Sequence, residues 1–266
     1  MIRDITLGQY YPEESPIHRL DPRTKILATL VYTVALFIIN NFIGFGITVV
    51  CLGALIAVSK VPFKFMAKGL KPVFIIIGFT LVLNMFMTPG EVIWSFGILK
   101  LTREGLYMAA FMCLRLILLI FGTSLLTLTT KPINLTDGME HLLHPLKKIG
   151  VPAHELAMMM SIALRFIPTL LEETDKIMKA QMARGADFES GNIIKRAKSL
   201  IPLLVPLFVS AFKIAQELAM AMESRCYRGG RQRTRLHPMK YAGRDAFAYL
   251  LLGLYFAGIF VQSRVL

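Results

Sequence analysis

Charged residues divide the chain into a series of apolar runs. Residues 1–25 are polar, and then not one charge occurs from Ile26 to Ser59. As a single helix that run would be roughly 50 Å long, against a hydrocarbon core of about 30 Å. Asn40 and Asn41 stand in its middle with Gly44 and Gly46 after them, so the pattern predicts two short spans, about 26–42 and 43–59, joined by a tight turn. Asp21 followed by Pro22 reads as an N-cap with proline in the first helical turn, and it starts the first helix. Lys60, Lys64, Lys68 and Lys71 mark a short amphipathic connector. Pro72–Gly90 is again free of charge, which predicts a third span at about 72–90. The loop Glu91–Glu104 holds Trp94, Phe96 and Gly97 and only two bases, Lys100 and Arg103. A fourth span, about 105–129, carries one charge, Arg115. A last span is predicted at 244–266.

Between the fourth and last spans the pattern changes. Leu156–Leu164 lies between Glu155 and Arg165, and Ser199–Phe212 lies between Lys198 and Lys213. Apolar runs this short suit buried or interfacial helices better than spans. Three helices are predicted, about 134–148, 153–185 and 192–227. Gly150-Val-Pro152 separates the first two, and Gly185 with Ser190-Gly191-Asn192 separates the second and third. If 199–220 crossed the bilayer instead, the orientation of everything after it would reverse.

Composition agrees with a membrane protein. Of 266 residues, 55% are apolar, where soluble domains run at about 45–50%, and the mean hydropathy is +0.58. The net charge of +13 then reads as Lys and Arg held on the cytoplasmic side. Arg3, Arg19, Arg23 and Lys25 precede the first span, and the 60–71 connector is lysine-rich, so both are expected in the cytoplasm. Four spans return the chain there, which makes 131–243 cytoplasmic. The fold class is therefore all-α, polytopic, with about five transmembrane helices plus long cytoplasmic or interfacial helices, in the cell membrane. No aromatic platform is interleaved with the bases, so nucleic acid is not an expected partner. Cys51, Cys113 and Cys226 are too few and scattered for a disulfide framework or thiolate metal site. The N-terminus lacks the charged-then-apolar order of a signal peptide.

The chemistry-bearing residues are sparse. No Gly-x4-Gly-Lys loop occurs and no carboxylates pair inside a span, so catalysis is not expected. His141 and His144 sit three apart near Asp137, Glu140 and His154, but a polar helix face explains them without a metal. Arg115, as an intramembrane charge, is either functional or a structural brace on helix-end carbonyls or an acid. Met158, Met159 and Met160 form a row that either fills a core or meets a partner of adaptable shape. Finally, one pattern occurs twice at a helix end: Ala180-Gln-Met-Ala-Arg184-Gly185 and Ala221-Met-Glu-Ser-Arg225-Cys226. A single arginine there means little, since the helix dipole favours it. Two on neighbouring helices suit bidentate docking onto acidic pockets of a two-part partner. The segment 225–244, with seven bases and no acid, also suits an anionic lipid surface.

The stretches Ile17-His-Arg-Leu-Asp-Pro-Arg-Thr-Lys25, Leu125-Leu-Thr-Leu-Thr-Thr130, Leu164-Arg-Phe-Ile-Pro168, Ala180–Asp187 and Ala221–Arg228 resemble the transmembrane T component of energy-coupling factor transporters, EcfT/CbiQ-like. The resemblance covers almost the whole chain. It implies a non-catalytic subunit with two coupling helices ending in Ala-Arg-Gly-like motifs, here Ala183-Arg184-Gly185 and Ser224-Arg225-Cys226. It further implies that those motifs dock on two ABC-type ATPase subunits, which hold ATP and Mg, and that this chain binds no cofactor. A small membrane subunit that captures a vitamin or transition-metal ion, so that a dedicated cobalt or nickel importer is the alternative, would rest on the methionine-rich ends. The second motif departs from the pattern at Ser224 and at Cys226. Cys226 lacks glycine's easy access to left-handed backbone, so the helix is expected to run on toward Gly229-Gly230. A self-sufficient secondary transporter would need ionisable or broken-helix spans, and apart from Arg115 these are lacking.

Overall fold

Asp21 and Pro22 start a helix as the sequence requires. In the computed structural model, which describes residues 10–96, 99–188, 194, 198–229 and 239–265, α1 spans Pro22–Ile38 and the Asp21 side chain accepts from Arg23 N–H. Ile39–Asn41 breaks the charge-free run, and α2 follows over Phe42–Ser59. The lysine-bearing connector forms α3, Phe63–Leu70, and α4 spans Phe74–Met87. Where a loop was expected at 91–104, Val92–Phe96 and Leu99–Thr102 pair antiparallel as β1 and β2. The β-branched and aromatic residues of Val-Ile-Trp-Ser-Phe suit such a ribbon. α5, Arg103–Thr129, is capped by the Thr102 hydroxyl on Gly105 N–H. α6, Pro132–Leu143, then tightens into a 3₁₀ turn over His144–Ile149, because Pro145 cannot continue an α-helical ladder. α7 is Ala153–Ala183, α8 is Ile201–Ser224, and α9 is Gly243–Val265. Part of the predicted 192–227 helix, up to residue 197, lies outside the described residues apart from Ile194.

The chain divides into two compact units. One comprises 8–141 with 238–266. There α5 packs on α1, α2, α3 and α4, and α9 packs on α1 and α2. Its core joins Leu36, Phe45, Phe111, Leu118 and Ile259, and a second cluster joins Met66, Leu125 and Leu128. The outward faces are apolar as well: Val50, Phe74 and Ile75 are 72%, 73% and 79% exposed. Such a surface is stable only when its solvent is lipid. The other unit takes in the described residues between 142 and 237, and in it α7 packs against α8.

Among the described residues, five helices are long and apolar enough to cross a membrane: α2, α5, α7, α8 and α9. The protein is an all-α polytopic membrane protein. By length and composition alone, α7 and α8 qualify although the charge pattern laid them along the membrane surface. They are also the least apolar of the five, at mean hydropathies of 1.2 and 1.5. α1 and α4, with 17 and 14 residues, are shorter than the others.

Candidate functional site

The two arginine-bearing helix ends share one backbone design. At the end of α7, Gly185 N–H donates to Met182 C=O (2.9 Å) and Ala186 N–H to Gln181 C=O (3.0 Å). At the end of α8, Cys226 N–H donates to Glu223 C=O (2.8 Å) and Tyr227 N–H to Met222 C=O (3.0 Å). Each is a Schellman motif, which satisfies orphan carbonyls by turning one residue left-handed. That residue is Gly185 at φ +89° and Cys226 at φ +56°. Arg184 and Arg225 occupy the preceding cap position with near-identical dihedrals, −88°/6° and −89°/14°. Both are exposed.

The expectation that α8 would run on toward Gly229 is therefore overturned. α8 stops at Ser224, whose hydroxyl donates back to the Ala221 carbonyl at 3.0 Å. Left-handed backbone costs a residue with a Cβ about 1–2 kcal/mol. The two carbonyls satisfied by the turn offset that penalty, each bond contributing about 1 kcal/mol.

α7 and α8 run antiparallel. Gln181 Nε2, in the last turn of α7, donates to the carbonyl of Pro202 at the start of α8 (3.2 Å). The Tyr227 hydroxyl, just past α8, donates to Met158 Sδ near the start of α7 (3.0 Å). Arg184 and Arg225 consequently stand at opposite ends of the pair, roughly 36 Å apart if the 24 residues of α8 set the separation. Met159 and Met160 are exposed, while Met158 is half-buried under Tyr227. The row is remote from Arg184 but adjacent to the Arg225 end. The Ala183 and Ser224 positions are exposed like their arginines. Of the basic segment, Arg231, Arg233 and Arg235 lie outside the described residues.

Arg115 lies in α5 and donates from Nη2 to the carbonyl of Ile39, the C-cap of α1, at 2.8 Å. Its guanidinium stands over the Phe111 and Phe37 rings, 5.1 and 5.6 Å from their centroids. The charge is spent on a helix-end carbonyl and two ring faces, as a brace between α1 and α5. Among the described residues, no group of three or more His, Cys, Asp or Glu is placed to hold a metal.

Where α1 begins and α5 ends, a polar junction forms that the sequence pattern did not reveal as a unit. Asp245, at the start of α9, accepts from Asp21 N–H (2.9 Å) and Ala242 N–H (2.8 Å). Arg23 pairs with Asp21 through Nε and Nη2 (3.0 and 2.9 Å) and covers the Tyr241 ring. Burial alone would raise the Asp21 carboxyl, but Arg23 outweighs it and holds the group below the usual carboxylate range. Lys25 Nζ donates to the carbonyls of Thr129 (2.9 Å) and His18 (3.2 Å). Burial pushes this ammonium down to about 8, against the pull of Asp21 and Asp245. His18 Nε2 meets the Tyr11 carbonyl, which can only accept, and Nδ1 meets the Ser15 hydroxyl. Burial and the neighbouring Lys25 lower this imidazole too, in keeping with a neutral ring. These contacts link residues up to 224 positions apart, which periodicity within one helix cannot report.

Residues 13–236 match the family described as cobalt transport protein, CbiQ. The chain is 60% identical, over 99% of both chains, to a protein of Thermosediminibacter oceani named energy-coupling factor transporter transmembrane protein EcfT. Proteins of the same name from Clostridium kluyveri and Bacillus subtilis are 61% and 51% identical, covering 100% and 92% of this chain and 98% and 93% of theirs. With the polytopic helical fold and the paired helix ends, these matches establish that the chain belongs to the EcfT family of energy-coupling factor transporter transmembrane proteins.

Proposed function

We propose that the chain couples ATP hydrolysis on two partner ABC-type ATPases to substrate uptake through a small substrate-binding membrane subunit. The observation that carries this reading is the pair of matched Schellman ends, which hold Arg184 and Arg225 in the same cap conformation at opposite ends of one helix pair. A guanidinium just past a helix end presents a planar fork of donors suited to an acidic groove. Two such ends fit two ATPases better than one. ATP and Mg then belong to the partners, and this chain is a non-catalytic subunit without a cofactor of its own.

In this reading α7 and α8 lie along the cytoplasmic face of the cell membrane. Closure of the ATPase pair displaces the two ends relative to each other. The antiparallel pair, tied at Gln181–Pro202 and at Tyr227–Met158, moves as a lever. The exposed Met159 and Met160 offer an adaptable apolar contact for the substrate-binding subunit. The cargo is a vitamin or other micronutrient. The cobalt description of the matching family favours a metal ion as the second reading of that cargo. Replacing both Arg184 and Arg225 by Glu is expected to abolish uptake in cells while the chain still reaches the membrane. Normal uptake by that double variant would sink the proposal.

A further inference from the structure

The polar junction at the start of α1 encloses a pocket of about 210 Å³, lined by Tyr10, His18, Lys25, Thr130, Lys131 and Asn134 among others. Its chemistry is unusual for a helix junction. Lys25 is only 7% exposed, yet no carboxylate forms an ion pair with it among the described residues. Two of its three N–H groups are used by the Thr129 and His18 carbonyls, which leaves one donor. Thr130 is 5% exposed and its Oγ1 has no hydrogen-bond partner. Buried hydroxyls are ordinarily hydrogen-bonded, so this one is a neutral partner still open in the pocket wall. Lys131 and Asn134, both exposed, add a second cation and an amide at the rim. Of the acids nearby, Asp21 is engaged by Arg23 and Asp245 by two backbone N–H groups, while Glu13 acts on the His18 edge of the pocket.

The location narrows the ligand further. The charge-free run of the first span starts at Ile26, and that of α5 ends at Thr130. The pocket therefore opens where hydrocarbon gives way to headgroups. We infer that this pocket binds a phosphate group, with Lys25 and Lys131 as its cationic partners and Thr130 and Asn134 as neutral hydrogen-bonding partners. An anionic phospholipid headgroup and a free phosphate share that chemistry.

Native mass spectrometry of the full-length chain, equilibrated in detergent with phosphatidylglycerol or phosphatidylcholine of equal chain length, tests the inference. Phosphatidylglycerol is expected to bind the wild type at least roughly tenfold more tightly, the scale of one or two charge-assisted hydrogen bonds. Lys131→Gln, at an exposed position, should remove most of that preference without harming the fold, and Lys25→Met should do the same. Lys71→Gln, on a different connector, should keep it. Displacement of the lipid by millimolar inorganic phosphate would identify a free-phosphate site. Failure of phosphate to compete, with the preference still lost in the variants, would identify a lipid headgroup site. Equal binding of both lipids by the wild type with no binding of inorganic phosphate, an undiminished preference in Lys131→Gln, or an equal loss in Lys71→Gln would overturn the inference.

Discussion

The left-handed Cys226 supplies a local and quantitative test of how the second arginine is presented. Gly185 and Cys226 hold equivalent positions in the two Schellman turns, at φ +89° and +56°. In Cys226→Gly the penalty of a left-handed Cβ, about 1–2 kcal/mol, disappears. Glycine's extra freedom in the unfolded chain returns about 0.5–1 kcal/mol of it. The net expectation is a helix end about 0.5–1 kcal/mol more stable, so local opening falls roughly two- to fivefold. Gly185→Ala is the mirror experiment. A Cβ there would meet nothing within 4 Å, so its effect is conformational rather than steric. The expected loss is about 1 kcal/mol and a roughly fivefold faster opening. Hydrogen–deuterium exchange on peptides covering 181–187 and 222–228, with a peptide from α5 as the unperturbed reference, reads both. Faster exchange at 222–228 in Cys226→Gly, or unchanged exchange at 181–187 in Gly185→Ala, would refute the shared-turn account.

Two further outcomes follow from the membrane unit. Lys25 is held at about 8 in the fold against 10.5 ordinarily. The unfolded chain thus binds more protons between those values, and stability rises with pH across that window, by at most about 3 kcal/mol. Thermal unfolding from pH 7 to 10.5 should show this rise in the wild type relative to Lys25→Met, and parallel curves would contradict it. Arg115→Met should destabilise the chain by about 1.5–3 kcal/mol, because the Ile39 carbonyl loses a charged donor. Arg115→Lys should recover part of that loss in the same melting assay, whereas equal melting of Arg115→Met and wild type would discard the brace.

Much of this architecture is legible from local pattern. Asp21-Pro22 announces α1, Asn40-Asn41 falls at the α1–α2 break, and Arg184-Gly185 marks the end of α7. Each of these is decided by residues within one turn, where capping and propensity dominate. Cys226 misled for the converse reason. Its intrinsic preference argues against a left-handed turn, and only the hydrogen bonds to Met222 and Glu223 reverse the balance. The antiparallel pairing of α7 with α8 depends on contacts such as Tyr227 with Met158, 69 positions apart. The Lys25 junction likewise depends on Thr129 and Asp245, which no window around Lys25 contains. The β1–β2 hairpin departs from the expected loop because only Leu99–Thr102 alternates in sequence, while Val92–Phe96 does not and pairs through cross-strand hydrogen bonds.

The proposal that each arginine end holds one ATPase is tested most directly by counting subunits. The tagged chain, purified with its complex, is expected to retain two ATPase subunits in the wild type. Arg184→Glu and Arg225→Glu should each retain one, and the double variant none. Two ATPase subunits retained by the double variant would contradict the account.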